Sequence, residues 1–533
     1  MKQVSLIRKL TATVLACTLC CTGMTVPDVL ADDGSELPAR FDLREADPPV
    51  LTPVKNQSGG TCWAHTILGC IESNMIMKGM ADNTLDLSET HLVWFTEGQD
   101  SPTDPDDPRY GGGINIGVKA YDAGPSLHHA IEALASWQGV VPEDLVPSHA
   151  EKPVLDESLR YQSVAHLQNA GYCRKNDISD IKQHLLRYGP LYTGYFNDHD
   201  HPLSEKSAYY DPDYTREASL AGKLNGRGHA VMIVGWDDAY PKTNFNDIPP
   251  EDGAWICKNS WDNYENSENG YFYMSYAEPS INTVIYFDTE PVTNYGSVYS
   301  YNSSKLVFAD PADDDHGFFM ANVFEAEQAE TLAAVGALFR TKNSLPAEYE
   351  LSVYLLSDDA ADPQDGTLAA KIEGVVDHTE YRTIRLPQNI EIREGQKYAI
   401  VLKLPPGIGS FYDSKCYKAG VSYSAEYAAK NEAAKPEWND CYTVGTGDVC
   451  IHVYTKYEGE TEQLIRGDMD RDGRLNAADL SLMKQAVLGS VRTDIDRKAA
   501  DWNEDETINA EDAKGFLDFL LQRESFRDEQ NAT

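Results

Sequence analysis

Cys62, His229 and Asn259 carry the groups that a nucleophile, its base and an orienting amide would need. The thiolate is the reactive form of cysteine, and an ordinary thiol with a pKa near ~8.5 supplies little of it at neutral pH. A helix N-terminus and an adjacent imidazole both favour the charged form. Cys62 follows the loop Asn56-Gln57-Ser58-Gly59-Gly60-Thr61 and opens a stretch in which Trp63, Ile67, Cys70 and Ile71 recur at helical spacing, with Gly79 as a stop. That spacing predicts a helix starting at the thiol. His229 follows Gly226-Arg227-Gly228 and leads into Ala230-Val231-Met232-Ile233-Val234, an apolar run that reads as a strand buried on both faces. Such a strand would hold the ring rigidly. Lys258-Asn259-Ser260-Trp261 then offers an amide to orient the imidazole and an indole to shield the bond from water. Gln57 offers a side-chain amide for a developing oxyanion, together with the Cys62 backbone N–H.

A second constellation lies near the C-terminus. Asp468, Asp470, Asp472, Asn476 and Asp479 place side-chain oxygens at positions 1, 3, 5, 9 and 12 of a loop with Gly473 at position 6, and Arg474 contributes a backbone carbonyl. This wraps a hard cation in oxygens, as Ca2+ requires. Asp501, Asn503, Asp505, Thr507, Asn509 and Asp512 repeat the loop. Glu506 stands where the glycine belongs, so the second loop is expected to bind calcium more weakly. Each loop feeds an apolar helical stretch, 480–488 and 513–521.

The elements that position these groups fall into about three domains, as a 533-residue chain suggests. Residues 1–31 read as a signal peptide: Lys2, Arg8 and Lys9 precede an apolar stretch, and Val29-Leu30-Ala31 fits a cleavage site. Lipid attachment at Cys17 is the lesser alternative. No run is long enough to span a membrane. Residues 32–290 form an α+β region, helices first. Residues 294–457 alternate apolar and polar positions, as in Tyr349-Glu350-Leu351-Ser352-Val353-Tyr354-Leu355, which predicts an all-β sandwich. Residues 458–463 form a polar linker, and 464–525 a small α-helical module with the two calcium loops. With 41% apolar and 24% charged residues, the first two regions are expected to fold without a partner. A net charge of −40 excludes nucleic acid as a partner.

The residues Pro53-Val54-Lys55-Asn56-Gln57, Gly60-Thr61-Cys62-Trp63-Ala64, Leu87-Ser88-Glu89, Gly228 to Trp236, Lys258 to Trp261 and Asn269-Gly270-Tyr271-Phe272 together resemble the papain family of cysteine peptidases. The resemblance implies that Cys62 is the nucleophile, His229 the base, Asn259 the orienter and Gln57 the oxyanion donor, with no catalytic cofactor and a peptide or protein substrate. Only four residues separate Gln57 from Cys62, one fewer than is usual in the family, and His65 replaces the usual aromatic. The middle region resembles lectin-like domains that follow bacterial papain-like peptidases. There, Tyr412, Tyr417 and Tyr423 are open to two readings, stacking on a glycan or packing at the sandwich rim. Cys416, Cys441 and Cys450 leave room for one disulfide, Cys416–Cys441 or Cys441–Cys450. The C-terminal repeat resembles a dockerin, which implies a cohesin of a cellulosome scaffold as partner. Two rivals remain to the reading of a secreted, complex-bound endopeptidase: an inactive papain-fold adhesin or protein-binding subunit, and acyl transfer in place of hydrolysis.

Overall fold

The computed structural model describes residues 37–531 apart from residues 100, 105–106, 108–109, 111–114, 125–126, 149–151, 304–305, 309–314, 342–345, 414–417, 429–435, 458–465, 470–474, 476, 488–496, 504 and 506. The stretch read as a signal peptide, Cys17, Cys416, Tyr417 and the linker therefore lie outside the described residues.

Helix α1 (Cys62–Met77) starts at the thiol, and every side chain from Ala64 to Ile76 except His65 is buried. A helix apolar on nearly all sides belongs inside a domain. It ends at the Lys78 cap, with Gly79 at φ +58°. Helix α2 (Glu89–Val93) is capped by Ser88, whose hydroxyl accepts the His91 N–H at 3.2 Å. Helices α3 (Leu127–Ala135) and α4 (Ile178–Tyr188) follow.

The strands of the first region are β1 (Arg40–Asp42), β2 (Ala165–Tyr172), β3 (Leu191–Asp198), β4 (Ala208–Tyr209), β5 (Gly226–Asp237), β6 (Ala254–Lys258), β7 (Tyr271–Ser275) and β8 (Thr283–Pro291). They lie in the order β2-β8-β3-β5-β6-β7-β4, with β1 on β5. Helix α1 packs on β5 at Gly69, where a Cβ would come within 2.6 Å of Met232 Sδ. This close approach brings the start of α1 to the start of β5.

The middle region is a pair of sheets. Strands Gly366–Val376, Ala347–Leu356, Lys397–Leu404, His316–Glu325 and Ser422–Ala428 are neighbours in one; Ile408–Asp413, Glu330–Thr341 and Glu380–Ile392 are neighbours in the other. Leu351, Val353, Ile400 and Leu402 of the first share an apolar cluster with Val335, Ile384 and Val453 of the second. The second sheet does not stop at the domain edge. Strand Glu380–Ile392 pairs antiparallel with β2, Tyr381 opposite Ala170, so one sheet runs through both regions. Leu338, Tyr381, Phe411 and Cys450 sit in the same apolar cluster as α1.

Two histidine–carboxylate pairs cross this joint. His452 Nε2 lies 2.8 Å from Glu132 Oε1 on α3, both fully buried, and His378 Nε2 lies 3.0 Å from Asp180 Oδ1 on α4. This paired edge and these buried histidine–carboxylate pairs would face water if the two regions parted.

The C-terminal region has its own apolar cluster, drawn from Met469, Leu480, Met483, Ala499, Ala500 and Phe516. Its helices are Ala477–Val487, Arg497–Ala500 and Ala510–Asn531.

Candidate active site and calcium loops

His229 stands near the start of β5, where pairing with β3 on one side and β6 further along holds the backbone. Its Nε2 lies 2.9 Å from Asn259 Oδ1. That amide is fixed in turn, since its Oδ1 also accepts the Ser260 N–H at 2.8 Å and its backbone N–H donates to Gly270 at 2.8 Å. The Trp261 indole lies flat on the imidazole, 4.4 Å between centroids with planes 6° apart, and Tyr195 meets the ring edge-on at 5.9 Å. The ring is thus clamped on two sides, and a single imidazole nitrogen is committed to Asn259.

Cys62 is partly buried. Burial pushes its thiol pKa up, and the backbone N–H groups of Ala230, Trp63 and Cys62 itself, with the Arg227 guanidinium, act in the opposite sense. The Ala230 N–H belongs to the residue after His229, so the sulfur lies against the strand that carries the imidazole. Burial lowers the His229 pKa to about 4; the Asn259 hydrogen bond opposes that, and Arg227 adds to it. Burial thus works against a lone charge on either group.

Gln57 is tied into the same corner. Its backbone N–H donates to Ser260 O at 2.9 Å, its Oε1 accepts the Ser260 hydroxyl, and its Nε2 donates to Gly59 O at 3.0 Å. One N–H of the primary amide is thereby used and a second is left. Gly59 has φ +68°, and a Cβ there would lie 2.5 Å from Tyr121 O, while one on Gly60 would lie 2.7 Å from Asp122 C. The loop at 121–122 thus requires both glycines.

His65 sits on α1 with its Nδ1 3.1 Å from Glu89 Oε1. Burial raises the Glu89 pKa, but His65 and Lys55 outweigh it and hold the carboxyl at about 2. Lys55 Nζ bridges Glu89 at 2.8 Å and Glu72 at 2.9 Å, tying the loop before the thiol to α1 and α2. Sequence reasoning passed over this network. The charged residues around a helical repeat were the only signal for it.

Cys173, Asp180 and His184 put three metal-binding atoms within 4.8 Å of one another. Asp180 already accepts the Arg174 N–H at 2.8 Å, the Arg174 guanidinium at 3.0 Å and the His378 ring at 3.0 Å, so hydrogen bonds account for this cluster.

Of the first calcium loop, Asp468 and Asp479 are buried, and Asp470, Asp472, Gly473, Arg474 and Asn476 lie outside the described residues. The second loop is described apart from Glu504 and Glu506. The Asp505 N–H donates to Asp501 Oδ1 and Asn503 Oδ1, both at 3.0 Å, which gathers those oxygens on one side of the turn. Asp512 closes the loop by accepting the Asn503 N–H at 3.2 Å and the Asn509 N–H at 2.8 Å. Hard oxygen donors in this arrangement suit Ca2+.

In the middle region Tyr412 packs against the sandwich cluster, and Tyr423 packs beside Trp438 at 6.4 Å. Packing therefore accounts for both. Cys441 and Cys450 are each unbonded, so the Cys441–Cys450 disulfide left open by the sequence is not formed.

The fold and this site define a papain-family cysteine protease domain, followed by a lectin-like domain and a dockerin. Residues 37–288 match the papain family of cysteine proteases, 298–455 the lectin-like domain and 466–515 the dockerin type I domain, a calcium-binding module. Among curated proteins, procathepsin L of Rattus norvegicus is 26% identical over 235 residues, 42% of this chain and 57% of that protein. Cathepsin F of Drosophila melanogaster is 28% identical over 230 residues, 42% of this chain and 31% of that protein. The match thus spans about half or less of those relatives. Among solved structures, the cysteine protease and lectin-like domains of Cwp84, a surface layer associated protein of Clostridium difficile, superpose with a TM-score of 0.61 at 21% identity, covering 80% of this chain and 90% of that one. This likeness extends to the fold.

Proposed function

We propose that the chain is a secreted endopeptidase that hydrolyses peptide bonds through an acyl-enzyme on Cys62. The reading rests chiefly on the His229–Asn259 hydrogen bond, clamped under Trp261 beside a thiol at a helix start. His229 takes the thiol proton and the sulfur attacks the scissile carbonyl. Asn259 holds the ring for that transfer. The Cys62 N–H and the remaining Gln57 N–H meet the oxyanion. The imidazolium then protonates the leaving amine, and His229 deprotonates the water that releases the acyl group and restores the thiol. We assign the twelve loop positions at 468–479 and 501–512 as two calcium sites, the second weaker. We further propose that the dockerin holds the peptidase on a cohesin-bearing cellulosome scaffold outside the cell.

An unstructured polypeptide incubated with the intact chain, Cys62→Ala and His229→Ala tests the catalytic reading: cleavage is expected from the intact chain, with at least a ~100-fold loss in each variant. Equal cleavage by Cys62→Ala contradicts it. Immobilised cohesin panels in calcium and in EDTA test the docking. Retention is expected only with calcium.

A further inference from the structure

Arg227 stands on the site's strand and takes no part in the mechanism above. It lies two positions before His229 on β5, and since side chains alternate across a strand, the two share a face, one pleat repeat of about 7 Å apart. Gly226 and Gly228 flank it, so no neighbouring side chain on the strand covers it, and a Cβ on Gly228 would meet nothing within 4 Å. The side chain is exposed. Among the described residues no hydrogen bond or ion pair reaches its guanidinium, although the chain carries 85 carboxylates against 45 basic groups. Its charge nevertheless reaches the cleft: it is felt at the Cys62 sulfur, which it stabilises as thiolate, and at His229, whose protonation it disfavours.

We propose that Arg227 is a specificity residue that takes the side-chain carboxylate of a peptide substrate adjoining the scissile bond, making the enzyme selective for Glu- or Asp-containing sites. An unpartnered guanidinium presents five donors in a planar fork that matches a carboxylate. A strongly acidic protein offers a carboxylate-bearing substrate little other attraction, so a single cation at the cleft sets where such a peptide seats. The inference rests on the peptidase reading above.

The test uses the full chain and a set of octapeptides in which one Glu is moved through the positions flanking a single cut bond, each paired with its Gln counterpart. The readout is the ratio of kcat/KM for the Glu peptide to that for the Gln peptide, which cancels differences in the amount of active enzyme. At one position the ratio is expected to be about 10 or more, from a bidentate charge-assisted contact. It should shrink with added salt because the pair is exposed. Arg227→Gln should bring it to about 1, Arg227→Lys should retain part of it, and Arg227→Glu should turn the preference toward a Lys peptide. A ratio near 1 at every position in the intact chain, or a preference that survives Arg227→Gln, overturns the inference alone, because cleavage itself persists. No cleavage of any peptide overturns both the inference and the peptidase reading.

Discussion

Where the protease and lectin-like domains meet, backbone pairs with backbone: strand Glu380–Ile392 continues the protease sheet along β2, and buried His452 and His378 meet Glu132 and Asp180 across the joint. The dockerin instead closes its own cluster around Met469, Met483 and Phe516 and gathers the Asp501 and Asn503 oxygens on one side of its own loop. A domain that shares a sheet edge and buried polar pairs with its neighbour cannot leave without exposing both. A domain with its own core can be attached to almost anything. The difference teaches that three regions recognisable in one sequence need not be three folding units.

The largest expected effect comes from cutting at the two joints. A chain ending at residue 291 loses the partner of β2 and the cover over α3, and is expected to lose its cooperative melt and its cleavage activity. A chain ending at residue 457 keeps both. If the shorter chain melts and cleaves like the longer one, the shared sheet is dispensable and the comparison fails.

Next in size is the buried pair. His452→Ala leaves Glu132 without its imidazole at a fully buried position and should cost about 3 kcal/mol or more in denaturant unfolding. His378→Ala should cost less, because Asp180 keeps the Arg174 guanidinium and backbone N–H. Equal losses would mean that the partners of the carboxylate, and not its burial, set the cost.

A gentler effect follows from acid. Burial holds His91, His128 and His229 down to about 4 and His166 to about 3. The unfolded chain takes up these protons near pH 6.5 while the folded one refuses them, so stability is full above pH 6.5 and falls as pH drops toward 4. Each histidine adds a slope of about 1.4 kcal/mol per pH unit within that window. Melts of the chain ending at 457, taken from pH 7 to 4.5, should show the fall. A flat profile contradicts the buried neutral histidines. Chelating calcium should leave that melt unmoved while abolishing a separate dockerin transition in the full chain.

Local signals account for what the sequence made legible. The helix start at Cys62 and the strand after His229 each depend on residues within a dozen positions. The joint between the first two domains was illegible, because Tyr381 opposite Ala170 and His452 beside Glu132 pair residues far apart in the chain with no periodicity to announce them. The tyrosines at 412 and 423 stayed open to two readings for a related reason: an aromatic on a strand reads the same whether its face is covered or bare. Cys173 and Cys257, buried and unbonded, were equally silent.

The central claim is that His229 activates Cys62, and the rate at which iodoacetamide alkylates Cys62 at pH 6.5 tests it most directly, with the alkylated peptide identified by mass spectrometry. The account predicts that the intact chain reacts about 100-fold faster than His229→Ala, because the imidazole removes the thiol proton. Equal rates in the two proteins would contradict it.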